Sequence, residues 1–238
     1  MNFLVCSSFA SVGVGGVVSI FPKPHCSVDG MFASESVIQG RALRVAYTSE
    51  ATTLIHWNIH NFGITGANLS LLLGRIRRDL ELAADNPDSV LVVLAGDFNL
   101  LARGETQTRL SRPVPPSESI GVIHQASPWD SIFGGLTELK HGADTHYTPS
   151  SDSSSRIDRI FISSPPWVIL QIEPHLKLWA EPKMLHEQGI SDHAPFSGTF
   201  TGKPPPPQKN QPISKSIAGS QRFKEACKLL CDKPSLRT

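Results

Sequence analysis

Cysteine is scarce in this 238-residue chain: Cys6, Cys26, Cys227 and Cys231 are the whole complement, and no two make a CxxC pair. The last two stand at i, i+4, and no histidine pair accompanies any of them at ligand spacing. This argues against a structural zinc site or a redox motif. They read as free thiols of a reducing compartment, so an intracellular protein, nuclear or cytoplasmic, is expected. Long apolar runs are missing too. Nothing approaches the length needed to cross a bilayer. The opening Met1-Asn2-Phe3-Leu4-Val5 has no basic flank and is followed by Ser7, Ser8 and Ser11, so neither a membrane anchor nor a secretion signal is read here. Charge of one sign is not in excess either: 22 basic against 21 acidic residues give +1. That balance neither demands nor excludes nucleic acid, because local clustering is what matters. There is no internal repeat and nothing that points to an oligomer. There is also no dinucleotide fingerprint, since Gly13, Gly15 and Gly16 precede a strand where that fingerprint follows one.

What is present is the composition of one globular domain, 39% hydrophobic and 18% charged. Residues 15–21 read as a buried strand stopped by Pro22, and 41–47 and 53–60 as further strands. Leu69, Leu72, Leu73, Ile76, Leu80 and Ala83 fall at i, i+3, i+4, i+7, i+11 and i+14, one apolar stripe of a helix. Asn68 is its expected N-cap and Asn86-Pro87 its stop, with Arg75, Arg77, Arg78, Asp79 and Glu81 on the polar remainder. A nearly all-apolar strand, 90–95, follows, as in a sheet covered on both faces. Residues 101–128 form a polar, proline-punctuated surface excursion, and 127–130 cap a short helical turn. Next, 146–148 and 157–162 read as two strands joined by the serine-rich 150–155. A strand over 167–176 follows, and then a tight loop and a final strand within 190–200. The expected organisation is a domain over 1–202, a proline-rich linker over 203–212 and a short helical tail over 213–238.

Four short segments place titratable groups where apolar strands end, the position at which layered α/β folds commonly bind ligands. They are Trp57-Asn58-Ile59-His60, Gly96-Asp97-Phe98-Asn99, Ser155-Arg156-Ile157-Asp158-Arg159 and Ser191-Asp192-His193-Ala194-Pro195. Each has a bland reading. Gly-Asp after a strand is a common turn, a lone His60 a structural imidazole, Ser-Asp-His an N-cap, and Asp158 between two arginines a surface ion pair. It is the four together, in this order, that are specific.

In that order they resemble the endonuclease/exonuclease/phosphatase family, whose motifs run Asn-x-His, Gly-Asp-x-Asn, Ile-Asp or Leu-Asp, and Ser-Asp-His. The resemblance covers roughly residues 12–200, and its finer cast is similar to endonuclease domains of non-LTR retrotransposons. It implies an α/β fold of layered β-sandwich type flanked by helices, and a metal-dependent phosphodiesterase acting on nucleic acid, DNA before RNA. The alternatives are a phosphatase or phosphodiesterase of small phosphorylated molecules and a non-catalytic nucleic-acid-binding remnant. By resemblance, Asp97 positions or deprotonates the attacking water, and Asn99 holds that water or a phosphate oxygen. His193 contacts the scissile phosphate or moves a proton, and Asp158 fixes the His193 tautomer. Asn58 and His60 touch phosphate. Asp192 and Asp97 hold Mg²⁺ or Mn²⁺, hard cations that prefer oxygen ligands.

The family pattern also has a first strand ending in asparagine and a second ending in a metal-binding glutamate. Upstream of Asn58 the only glutamates are Glu35, in a polar stretch, and Glu50, in an expected turn. The sheet is therefore expected to be incomplete at its N-terminal end, the cation weakly held and the activity impaired.

Overall fold

The computed structural model describes residues 3–11, 14–22, 30–101, 105, 107–110, 127–164, 172–202, 220–221, 224–225 and 228. By internal contacts the chain divides into Met1–Gly202 and Lys203–Thr238. In the second unit the described positions after Ser220 are helical, with the Lys224 amide bonded to the Ser220 carbonyl at 3.2 Å. The linker expected at 203–212 lies outside the described residues, as do Cys26, Cys227 and Cys231.

The first unit is built on a mixed sheet of six strands in the order β3-β4-β5-β6-β11-β8. These are β3 (Met31–Ile38), β4 (Ala42–Thr48), β5 (Thr53–His60), β6 (Val90–Asp97), β8 (Thr137–Glu138) and β11 (Asp158–Ile162). Only β5 and β6 run parallel. The crossover between them is α1 (Gly66–Asp85), which lays Leu72, Leu73, Ile76 and Ala83 on Ile55, Trp57, Ile59, Val92 and Leu94. Burial of this stripe is the main favourable term for that layer. A second helix, α2 (Asp130–Phe133), adds Trp129, Ile132 and Phe133 to the same core. The opposite face is covered by an antiparallel hairpin of β1 (Phe3–Ser11) and β2 (Val14–Pro22). There Cys6 and Val17 pack on Leu43 and Val45, with Leu4, Phe21 and Phe32 around them. The arrangement is a layered β-sandwich flanked by helices, the α/β class expected. Three smaller strands, β7 (Thr108–Arg109), β9 (His146–Thr148) and β10 (Ser153–Ser155), form a separate ribbon in the order β7-β10-β9. A last pair joins β12 (Ile172–Leu178) to β13 (Phe196–Gly202), with α3 (Pro182–Glu187) between them in sequence. Among the described residues no helix is long and apolar enough to cross a membrane.

Several local readings change. Phe3–Ser11 is a strand in which Cys6 and Ser8 face inward while Phe3, Val5 and Phe9 face outward, so polar residues hold the inner face and a run broken by serines is still a strand. Burial of Ser8 Oγ is offset by the bond it accepts from the Gly40 amide at 2.8 Å. The polar stretch around Glu35 is strand β3, tied to α1 by a Glu35–Arg75 ion pair. The cap of α1 is Thr65 rather than Asn68, which sits inside the first turn. Asp79 is not on a solvated face. It is buried, accepting two bonds from Arg44 at 2.8 Å and one from Trp57 Nε1 at 2.9 Å. The serine-rich stretch is not a mere connector: Ser153–Ser155 is a strand that pairs with β9, whereas β11 pairs with β6 and β8.

Candidate active site

The registers of β5, β6 and β11 put three titratable residues side by side. His60 lies opposite Asp97 across the parallel pair, and Asp97 lies opposite Asp158 across the antiparallel pair. Residues directly opposite share a face of the sheet, so the three side chains emerge together at one end. Gly96 makes this approach possible. Its φ is +132°, and a Cβ there would come within 2.0 Å of the Ile59 carbonyl oxygen, so no other residue fits. Asn99 then takes a left-handed conformation, φ 50°. This turns its amide onto Asp97 Oδ1 at 2.7 Å and its Nδ2 onto Asp97 Oδ2 at 3.0 Å.

The fourth segment arrives from the other side. The Ala194 amide bonds to the Thr145 carbonyl at 2.7 Å and the Tyr147 amide to the Asp192 carbonyl at 2.8 Å. His146 and His193 form a bridge between them. His193 Nδ1 lies 3.0 Å from Asp158 Oδ2, and its Nε2 lies 3.9 Å from Asp97 Oδ2. Asp158 is free for this role because Arg156 and Arg159, its neighbours in sequence, are buried and paired with Glu105 and Glu138. The surface ion pair that the sequence offered as the bland reading of Asp158 is therefore not formed.

Electrostatics separate the two imidazoles. Asp158 accepting a hydrogen bond from its ring holds the His193 pKa above the ordinary histidine value. Burial, and then the Arg41 guanidinium, push His60 below it. Arg41 Nη1 can only donate, and it lies 2.9 Å from His60 Nδ1. The same Arg41 Nη1 lies 3.4 Å from His60 Nε2, which in turn is 3.8 Å from Asp97 Oδ2. Burial chiefly, partly offset by the Asn99 amide, raises Asp97 above the usual carboxylate range. A half-buried carboxyl thus faces an imidazole whose far nitrogen is held by a second carboxylate.

Of the residues singled out in the sequence, Asp97, Asn99, Asp158, His193 and His60 converge at this sheet end, and Asp192 stands beside His146. Asn58 does not join them. Its side chain reaches the covered face and donates from Nδ2 to the Val18 carbonyl at 2.8 Å, tying β5 to the hairpin. Three neighbours were not singled out: Arg41, His146 and Asn61, the last of which donates to the Phe98 carbonyl at 2.7 Å and so ties the exits of β5 and β6 together. Their roles depend on pairing across 19 to 47 residues of chain, and no local spacing signals that.

A divalent cation was expected on Asp97 and Asp192. Among the described residues the one group of three His, Cys, Asp or Glu side chains whose ligand atoms lie within 4.8 Å of one another is His146, Asp192 and His193. Asp97 is not in it, and no glutamate is. Two imidazoles and one carboxylate do not suit Mg²⁺, which wants oxygen ligands in near-octahedral array. Of the expected pair only Asp192 belongs to this group.

No protein-family model and no curated protein matches this sequence. Solved structures do match. The endonuclease domain of TRAS1, a telomere-specific non-LTR retrotransposon, is 16% identical with a TM-score of 0.48, over 84% of this chain and 78% of that one. A single-substitution variant of the 3′ phosphatase NExo from Neisseria, bound to product DNA hairpin, is 17% identical with a TM-score of 0.47, over 83% and 79%. An endonuclease/exonuclease/phosphatase family protein from Leptotrichia buccalis is 16% identical with a TM-score of 0.43, over 85% and 71%. All three are likenesses of fold, at 16 to 17% identity.

Proposed function

We propose that this chain is a phosphodiesterase of the nuclease type, acting on nucleic acid with DNA before RNA. The observation that carries the reading is the Asp158–His193–Asp97 line, in which one imidazole has a carboxylate behind Nδ1 and a second carboxyl 3.9 Å from Nε2. Two polar atoms at that separation can face the attacking and the leaving oxygen of one phosphoryl group, which stand roughly in line on opposite sides of phosphorus. Asp97, its orientation fixed by Asn99, takes a proton from water as the water oxygen bonds to phosphorus. His193, kept protonated by Asp158, gives its Nε2 proton to the oxygen that leaves as the other P–O bond breaks. The His60 imidazole, beside Arg41, donates to a non-bridging phosphate oxygen. Asp158 is a positioning residue in this scheme. An open depression beside His193 is walled by Leu185, Ile190, Ala194, Pro195 and Phe196, a surface suited to a sugar or base flanking the phosphate. The resemblance of the Trp57–Gly63 and Ser155–Phe161 segments to retrotransposon endonucleases favours a polymeric substrate over a small phosphorylated molecule.

The test is cleavage of plasmid DNA, abasic DNA and RNA by the purified chain, beside His193→Ala and Asp97→Asn. Slow cleavage lost by about 10²-fold or more in both variants is expected. Tight binding of DNA with no cleavage would replace this reading with a non-catalytic binding module. Cleavage of small phosphate esters alone would replace it with a phosphatase.

A further inference from the structure

We propose that His146, Asp192 and His193 form a binding site for one borderline first-row divalent cation, of the zinc and cobalt kind, in preference to Mg²⁺. The inference rests on the geometry of this cluster and stands whether or not the chain hydrolyses anything. The ligand atoms of the three residues lie within 4.8 Å of one another, and His146 Nε2 is already 3.8 Å from Asp192 Oδ2. Ligands about 2 Å from a cation sit at most about 4 Å apart, so the cluster need close by roughly an ångström. Asp192 has the freedom to do so, its side chain being 52% exposed.

The backbone has already placed the two halves. His146 and His193 share a bridge, flanked by the Tyr147–Asp192 and Ala194–Thr145 hydrogen bonds, and the imidazole rings are 4.6 Å apart. A second feature points to a cation independently. His193 is backed by Asp158 on Nδ1, which leaves Nε2 outward. A carboxylate behind the far nitrogen is what ligating histidines usually have, because it fixes the tautomer and raises the basicity of the free nitrogen. The donor set then names the class. Imidazole suits zinc, cobalt, iron and nickel, whereas carboxylate and water suit magnesium. Asp97, with Oδ2 3.9 Å from His193 Nε2, adds negative charge next to the cation without joining the ligand group. Cation and proton compete for His193 Nε2, so a bound ion takes the atom from which the hydrolytic scheme donates.

The experiment is Co²⁺ titration of the metal-stripped full chain, followed by visible absorption and equilibrium dialysis, with Zn²⁺ and Mg²⁺ as competitors. One Co²⁺ per chain is expected, displaced by Zn²⁺ and retained against about a hundredfold excess of Mg²⁺. His146→Ala and Asp192→Asn should each weaken Co²⁺ at least about tenfold, Asp158→Asn by about 10- to 100-fold, and His175→Ala not at all. Wild-type affinity in His146→Ala and Asp192→Asn, or displacement by equimolar Mg²⁺, overturns the site. Should His146→Ala fail to fold, His146→Gln and the wild type answer instead: Co²⁺ must broaden the ring resonances of His146 and His193 before those of His175, and the reverse order overturns the proposal. Binding is read without substrate, so loss of hydrolysis and loss of the cation site are separate results.

Discussion

His193 holds its proton to higher pH than a free imidazole because Asp158 accepts from Nδ1, and the same bond links the residue to folding. The folded pKa is raised, so this contribution to stability is fully present below pH 6.5 and is lost as pH rises through the raised value. Asp158→Asn should therefore cost more stability at about pH 5.5 than at about pH 9. In chelator-treated protein it should move the His193 NMR titration midpoint down toward about 6.5. Urea unfolding at the two pH values and a ring-proton titration check this, and equal costs at both pH values would remove the pair from the account. His56 works in the opposite sense. Burial beside Ser19 and Phe21 lowers its pKa from 6.5 to about 4. The unfolded chain then binds a proton that the folded chain refuses, so stability falls as pH drops from about 6.5 to 4, by up to roughly 3 kcal/mol. In His56→Phe the acid side of the stability–pH curve should be shallower than in the wild type, as read from urea midpoints at about pH 7 and about pH 4.5. Neither shift is visible in sequence, where His56 lies between Ile55 and Trp57 and His193 between Asp192 and Ala194.

At the scale of elements, α1, β5 and β6 are written plainly in the chain, because their apolar periods of about 3.6 residues and their near-continuous runs match the faces they bury. Asp79 is the exception that fixes the register of α1. Its carboxylate meets the Arg44 guanidinium in a bidentate pair and takes the Trp57 indole N–H. Asp79→Ala would leave a part-buried guanidinium and a buried N–H without an acceptor, a loss of about 3 kcal/mol. Arg44→Met with Asp79→Leu should recover part of it, since an apolar pair of similar volume leaves no charge unpaired. Denaturant unfolding of the single and double variants measures both, and an Asp79→Ala cost under about 1 kcal/mol would mean the pair is incidental. Two of the strands missed, β1 and β10, share a physical cause. Their serines are satisfied by hydrogen bonds inside the fold: Ser8 by Ser36 and the Gly40 amide, Ser154 by Asp144. Hydroxyls of that kind lie buried while a reading by hydropathy alone places them in loops.

The whole molecule brings residues from Arg41 to His193 to one sheet end, and the motifs' order foretold most of that gathering while saying little about the donor set it would leave. Four glutamates illustrate the difference. Glu35 is tied to Arg75, Glu50 lies in the turn before β5, and Glu105 and Glu138 are held by Arg156 and Arg159. None is grouped with a carboxylate or imidazole of the cleft. A hard cation there meets imidazole and scattered carboxylates rather than a ring of oxygens, and Mg²⁺ keeps its waters in preference to such a set. Metal ions supply several kcal/mol of charge stabilisation at phosphoryl centres, and about every 1.4 kcal/mol is tenfold in rate. Hydrolysis by this chain should accordingly be slow. It should rise less than about threefold between chelator and about 10 mM Mg²⁺, because the proposed acid–base scheme does not use the ion. The measurement is the initial rate on abasic and plasmid DNA across a Mg²⁺ series, with His193→Ala as the background. A rate that climbs by orders of magnitude and saturates at millimolar Mg²⁺ would show that oxygen ligands assemble around the ion when substrate binds. Asp97→Asn and Asp192→Asn would then shift the Mg²⁺ midpoint, identifying which carboxylates moved. A flat series abolished by His193→Ala would instead leave the acid–base pair as the source of the rate.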